Sequence, residues 1–250
     1  ELLLGAKLER VERNGAAKLL HVTAAGTSRE LEVDEILLGI GRAPNVENIG
    51  LEAAGVAFVP AGGVHVDDHL RTTNRRIFAA GDVCMSAKFT HAADAAAKLV
   101  VRNAFFFGRG RVSSLRVPWC TYTDPEVAHV GWYPRDAEAN GVEIDSYVTP
   151  LGANDRSRAE GEEHGFVKIH VRKGTDRIVG ATIVARHAGE LIAPIALAIS
   201  AGHGLGRLVD LILPYPTQAE AIKAASGAYT RTRLTPTVAR VLGLLIRIAR

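Results

Sequence analysis

The sequence predicts an α+β protein on three observations. Beyond Val117 the strand-like runs cluster first and the helices follow, as in a domain where helices pack on a sheet. Upstream, Asp34–Ile40 is a continuous apolar run, the pattern of a strand buried on both faces. Between them, Thr90–Phe107 is alanine-rich and long enough for several helical turns.

Taken in order, Glu1–Val11 and Lys18–Ala24 read as strands joined at Asn14-Gly15, a dipeptide suited to a two-residue hairpin turn. Gly26-Thr27-Ser28 punctuates the next strand. Gly55 and Gly62-Gly63 mark turns, and Val64–Asp67 alternates like a short strand. Arg109–Arg116, rich in Gly, Arg and Ser, is the best domain boundary. Val117–Thr123, Val127–Trp132, Ile144–Thr149, Gly165–Val171 and Ile178–Ala185 follow as strands, with helices at Pro134–Asn140, Ala188–Ala201 and Gln218–Ala225. Glu190–Ala201 is apolar nearly all round, which requires burial in a core or against another subunit.

The composition, 47% hydrophobic and 23% charged over 250 residues, is that of a globular chain with one or two cored domains. No secretory or transmembrane run appears, so a cytoplasmic location is expected. The net charge of +3 is uneven: residues 228–250 hold five arginines and no acid, leaving −2 for the rest. A nearly neutral body without interleaved aromatic and basic residues gives no reason to expect nucleic-acid binding. Cys84 and Cys120 are 36 positions apart, neither a metal-ligand spacing nor a vicinal redox pair, and read as reduced thiols. His65 and His69 lie in an alternating, glycine-flanked stretch that would not set both on one helix face, so no metal site is expected.

Ile77–Val83 reads as a buried strand ending on Gly81, with Asp82 at its carboxyl end, where open α/β sheets meet ligands. Gly81 tolerates the positive φ of a sharp strand exit. A carboxylate there suits a polyol or ribose hydroxyl. Phe89-Thr90-His91 then opens the alanine-rich helix, whose N-terminal amides favour negative charge.

These pieces, with Gly39-Ile40-Gly41-Arg42-Ala43-Pro44-Asn45, Tyr122–Gly131, Gly180–Val184, Ala188–Ile192 and Pro214–Ala221, resemble the flavoprotein disulfide reductases. These pyridine nucleotide-disulfide oxidoreductases include dihydrolipoamide dehydrogenase, glutathione reductase and mercuric reductase. About nine-tenths of the chain follows the family's order.

The resemblance implies a C-terminal dimerisation domain, an antiparallel sheet with helices, preceded by partial Rossmann-like FAD- and NAD(P)-binding segments. Residues 1–43 would end the NAD(P)-binding domain, 44–110 would complete the FAD-binding domain, 116–228 would form the dimerisation domain of a homodimer, and 229–250 would be a basic tail helix or a disordered extension. FAD is the implied cofactor and NAD(P)H the co-substrate of the parent. Asp82 would bind the ribityl chain, while Gly81, Phe89, Thr90 and His91 would line the cofactor. His91 stands where the family often has proline or alanine.

The family's FAD fingerprint, Cys-x4-Cys pair and NAD(P)H fingerprint are absent from these residues. Gly202-His203-Gly204-Leu205-Gly206 follows a helix-like stretch rather than a strand and reads as a helix end. The chain therefore reads as the C-terminal part of a longer enzyme, without initiator methionine or targeting signal, and is not expected to complete the reaction alone.

Where thiol-using members carry His-Pro-Thr with a glutamate three residues after the threonine, this chain has Tyr215-Pro216-Thr217 and Glu220. A phenol with a pKa of about 10 does not exchange protons at neutral pH as an imidazole does. It does donate a hydrogen bond or lie beside a metal–thiolate. That substitution resembles the mercuric reductase branch, with Tyr215 and Glu220 bordering Hg(II) or another small acceptor across the dimer. Quinone, dioxygen, or no catalysis at all are the alternatives. The branch's tail cysteine pair is missing here. Glu220 also fits a capping box with Thr217. Loop 154–165 reads as solvated charge pairs. The tail is expected to pack on the dimer or extend freely, with weak contact of 235–250 with an anionic membrane surface as the alternative.

Overall fold

The computed structural model describes residues 1–248 and divides into two compact units, residues 1–43 and 44 onward. The first unit is an antiparallel meander of β1 (Lys7–Asn14), β2 (Ala17–Ala24) and β3 (Thr27–Val33). Its first turn falls on Gly15-Ala16, one residue later than the sequence indicates, with Asn14 paired to Ala17 and Gly15 at φ +62°. Every β1 residue is exposed, and Val22 is the meander's one buried apolar residue.

Residues 34–40 are not a strand. They run without ladder pairing, and Leu37 and Ile40 are 98% and 90% exposed. An apolar run becomes a buried strand only when neighbours satisfy its N–H and C=O groups on both sides. No strand among the described residues pairs with this one.

The second unit opens with small elements: β4 (Phe58–Val59) pairs with β5 (Gly63–Val64) over a cluster of Val46, Val56 and Val64. The strand expected at 77–81 is reduced to a single bridge, Phe78 to Arg71, before a 3₁₀ turn at Gly81–Val83. Helix α1 (Thr90–Phe105) buries Ala92, Ala96, Leu99 and Asn103, one residue per turn. Its Asn103 amide clasps Gly110 through N–H and C=O, both at 2.9 Å. The connector is thereby tied down, and Ser113 bonds the Asp68 carboxylate through backbone and hydroxyl.

Beyond it lie β6 (Trp119–Thr121), β7 (Glu126–Gly131), α2 (Pro134–Ala139), β8 (Ile144–Pro150), α3 (Asp155–Ala159), β9 (Phe166–Arg172) and β10 (Ile178–Ala185). The strands form one antiparallel sheet in the order β6-β7-β10-β9-β8. Val167, Ile169, Val171 and Ile183 project from one face into the main core. Covering that core are α4 (Ala188–Leu191), α5 (Ala193–Ser200) and α6 (Glu220–Thr232), through Ala188, Ile195, Ala198, Ala221, Ile222 and Ala225. The single helix expected at 188–201 divides at Ile192, before Pro194, whose missing N–H interrupts the helical ladder. Gly202 ends α5 at φ +71°, as the helix-end reading requires.

On the other sheet face, His129 and His170 are each 2% exposed. His129 stacks on Tyr133 at 3.7 Å and 5°, donates Nε2–H to the Gly131 carbonyl at 3.0 Å and accepts at Nδ1 from the Thr182 hydroxyl at 2.9 Å. His170 Nδ1 lies 2.7 Å from Ser146 Oγ. Burial pushes both imidazoles down, His170 to about 4. The tail forms α7 (Pro236–Ile248) with no buried residue. Arg250, the last tail arginine of the sequence, lies outside the described residues.

Candidate functional site

The sequence-predicted residues fall in two places. At the first, Gly81 has φ +81°, and a Cβ there would come within 2.9 Å of Ala93 Cβ, so the glycine admits α1 against the 3₁₀ turn carrying Asp82. Asp82 is half-buried, and Lys88 donates from Nζ to its backbone carbonyl at 3.4 Å. Phe89 is the N-cap of α1 and offers no side-chain cap, so Thr90 stands inside the first turn rather than capping it. The first-turn amides thus have no side-chain acceptor, the arrangement that suits an anion or an electron-rich carbonyl. His91 turns its ring to the backbone: Nε2–H donates to the Pro118 carbonyl at 2.7 Å, and the ring stacks on Phe89 at 5.3 Å and 13°. Its contribution to a ligand would come from its amide.

The second place is the 215–220 loop. Tyr215 is 71% exposed and donates its hydroxyl hydrogen to Asp155 Oδ2 at 2.9 Å. This bond and the carboxylate's charge push the phenol pKa up. The group therefore acts as a hydrogen-bond donor, not a base. Glu220 accepts instead from Thr217 N–H at 3.3 Å. That is half of the expected capping box, because the Thr217 hydroxyl is buried without a partner. Tyr215 and Glu220 do not hydrogen-bond to each other, and none of the hydrogen bonds among the described residues joins either to Phe89, Thr90 or His91.

Sequence reasoning missed Asp155, 60 positions from Tyr215 and carrying no local signal of its role. It also missed a cavity of about 960 Å³ between residues 66–117 and the sheet, with Cys84, Met85, Trp132, Arg172, Asp176 and His203 on its wall. None of the predicted site residues lines that cavity. Both cysteines are free, as expected. Cys84 is pushed up to about 11 by burial, and Cys120 is raised by burial and by Glu126. Among the described residues no cluster of His, Cys, Asp or Glu has the arrangement of a metal site; His69 Nδ1 instead lies 2.8 Å from the Gly110 carbonyl. Among the described residues no helix is long and apolar enough to cross a membrane.

The fold combines a three-stranded meander with an α+β unit built on a five-stranded antiparallel sheet. Residues 117–226 match the profile of the pyridine nucleotide-disulphide oxidoreductase dimerisation domain, and residues 1–97 match that of the pyridine nucleotide-disulphide oxidoreductases. The chain belongs to this family. It is 34% identical over 230 residues to mercuric reductase from Staphylococcus aureus, covering 92% of this chain and 42% of that protein. It is 35% identical over 211 residues to mitochondrial dihydrolipoyl dehydrogenase from Dictyostelium discoideum, covering 84% and 43%. The solved structure of LpdA from Mycobacterium tuberculosis superposes with a TM-score of 0.83 at 30% identity, covering 90% of this chain and 48% of that one. The chain thus spans less than half the length of these relatives. Family members such as these are FAD flavoproteins that use NAD(P)H.

Proposed function

We propose that this chain supplies FAD contacts and the homodimer interface of an NAD(P)H-dependent oxidoreductase whose acceptor centre most resembles that of mercuric reductase. Residues 1–43 would close the NAD(P)-binding domain, 44–110 the FAD-binding domain, and 116–228 would pair with a second copy. The residues present fit FAD on two counts: Ala79 and Ala80 set only small, half-buried side chains beside Asp82, and the first turn of α1 has no side-chain cap. Asp82 would hold the ribityl chain, and the amides of Thr90 and His91 the electron-rich edge of the ring. When bound, the flavin supplies two-electron transfer between nicotinamide and acceptor.

The observation that carries the acceptor reading is the exposed Tyr215 phenol, held protonated by Asp155. A protonated phenol orients or stabilises a ligated ion but takes no proton from a dithiol. Leu197, Ile212 and Tyr215, exposed by 69%, 96% and 71%, provide apolar surface for a partner copy. The test is Hg(II)-dependent NADPH oxidation by the full-length parent in excess thiol. Tyr215→Phe is expected to lower that rate about five- to tenfold, because it removes the phenol oxygen that Asp155 holds in place beside the acceptor. Flavin reduction by NADPH without any Hg(II)-dependent rate would direct the search to a quinone, dioxygen or another small acceptor. No flavin reduction at all would leave a dimerisation module.

A further inference from the structure

Helix α7 lies beyond the residues that match the dimerisation-domain profile and buries none of its thirteen residues. Its start is locally encoded: Thr235 Oγ1 accepts from Val238 N–H at 3.3 Å, and Pro236 occupies the first helical position. At 3.6 residues per turn, Leu244, Ile248, Val241, Leu245, Val238, Leu242 and Ile246 sweep an arc of more than half the circumference, with Thr237 as the polar residue near one edge. Arg240 and Arg247, seven apart, share the opposite side with Gly243 and Ala239. Six of these apolar side chains are at least 45% exposed, and Val238 is 41% exposed.

Water is a poor solvent for such a face, and three occupants are conceivable. The chain's own core is not one, since no residue of α7 is buried. A second α7 fits badly: a paired helix needs a narrow seam flanked by opposite charges, whereas this arc is broad and residues 221–250 contain no acid to meet an arginine. An anionic lipid surface fits both halves of the helix. The apolar arc enters the acyl boundary, while guanidinium groups pair with headgroup phosphates. At about 20 Å a thirteen-residue helix is too short to span a hydrocarbon core of about 30 Å, so it lies in the plane of the interface. Arg231 and Arg233, just upstream, extend the same charge. We infer that α7 is an in-plane anchor that holds this protein reversibly on membranes rich in anionic lipid.

The test is co-sedimentation of the full chain with vesicles of phosphatidylcholine containing phosphatidylglycerol, against vesicles of phosphatidylcholine alone. Binding is expected to the anionic vesicles only and to fall with added salt. Each arginine near such a surface contributes about fivefold in partitioning. Arg240→Gln with Arg247→Gln should therefore weaken binding about twenty-five-fold, and Leu245→Asp should abolish it. Both variants leave the core untouched, so near-ultraviolet circular dichroism should not change. A full chain that stays in the supernatant overturns the inference, as does binding that neither variant alters. Size-exclusion of Leu245→Asp without vesicles gives an independent check: an unchanged elution volume supports the anchor, and a smaller species assigns the face to a second copy instead.

Discussion

The meander β1–β3 and the five-stranded sheet β6–β10 are built by the same local rules and end with opposite fates. Both are antiparallel, and each has one register shift, at Leu8/Arg10 in the meander and at Ile178/Gly180 in the large sheet. Yet the large sheet has Val167, Ile169, Val171 and Ile183 fully buried, while the meander buries Val22 alone. The difference is the covering layer. Helices α4, α5 and α6 exclude water from one sheet face, and nothing in the meander's own unit does so. Strand pairing sets register, but about 25 cal/mol per Å² of apolar burial is what makes a sheet a core.

Four measurements test that contrast. The largest effect is expected from Ile183→Ala, which leaves a cavity among β7, β9 and β10 and should cost about 2–5 kcal/mol in urea unfolding. The matching Leu20→Ala in β2 should cost under about 1 kcal/mol, since its side chain is only partly covered. Equal losses would mean that the meander has a core of its own.

Next comes pH. His170 titrates at about 4 in the folded chain but near 6.5 when unfolded. Between those values the unfolded chain binds the extra proton, so stability falls as pH drops from about 6.5 to 4, by roughly 3 kcal/mol in all. His129 is lowered in the same direction, and Lys168 beside His170 adds to the effect. Urea midpoints at pH 7 and 4.5 read this directly, and His170→Gln should flatten the dependence. A slope unchanged in that variant would place the acid sensitivity elsewhere.

A smaller effect is confined to the meander. Gly15→Val, at φ +62°, should cost about 1–2 kcal/mol and raise amide exchange in β1 and β2 while leaving β7–β10 protected. Smallest is Tyr215→Phe, which removes one exposed hydrogen bond to Asp155 and should change stability by no more than about 0.5 kcal/mol. On the proposed acceptor role its main effect would be on the rate, so a large stability loss would make the phenol a structural brace.

The same contrast explains what was legible in the sequence. The five large-sheet strands, helices α1 and α2 and the start of α6 could be read because periodicity, turn residues and covering partners all lie within this chain, while α6 runs on to Thr232, past the expected end at Ala225. Residues 34–40 and 77–80 carry equally strong apolar patterns, yet a strand needs neighbours, and pattern alone does not supply them. The division of 188–201 was written in Pro194 and overlooked beneath a uniformly apolar run. At the candidate site, Gly81 was legible because only glycine adopts its φ cheaply beside Ala93. The Tyr215–Asp155 bond was not, because residues 60 apart meet only through the fold.

Burial of Cys84 has a practical consequence. With its thiol at about 11, roughly one molecule in ten thousand carries the thiolate at pH 7, and Cys120 is shifted the same way. Cys84 is therefore slow toward maleimides and other thiol-directed reagents. A cysteine introduced on an exposed helix would outpace it as a handle for a fluorophore or spin label.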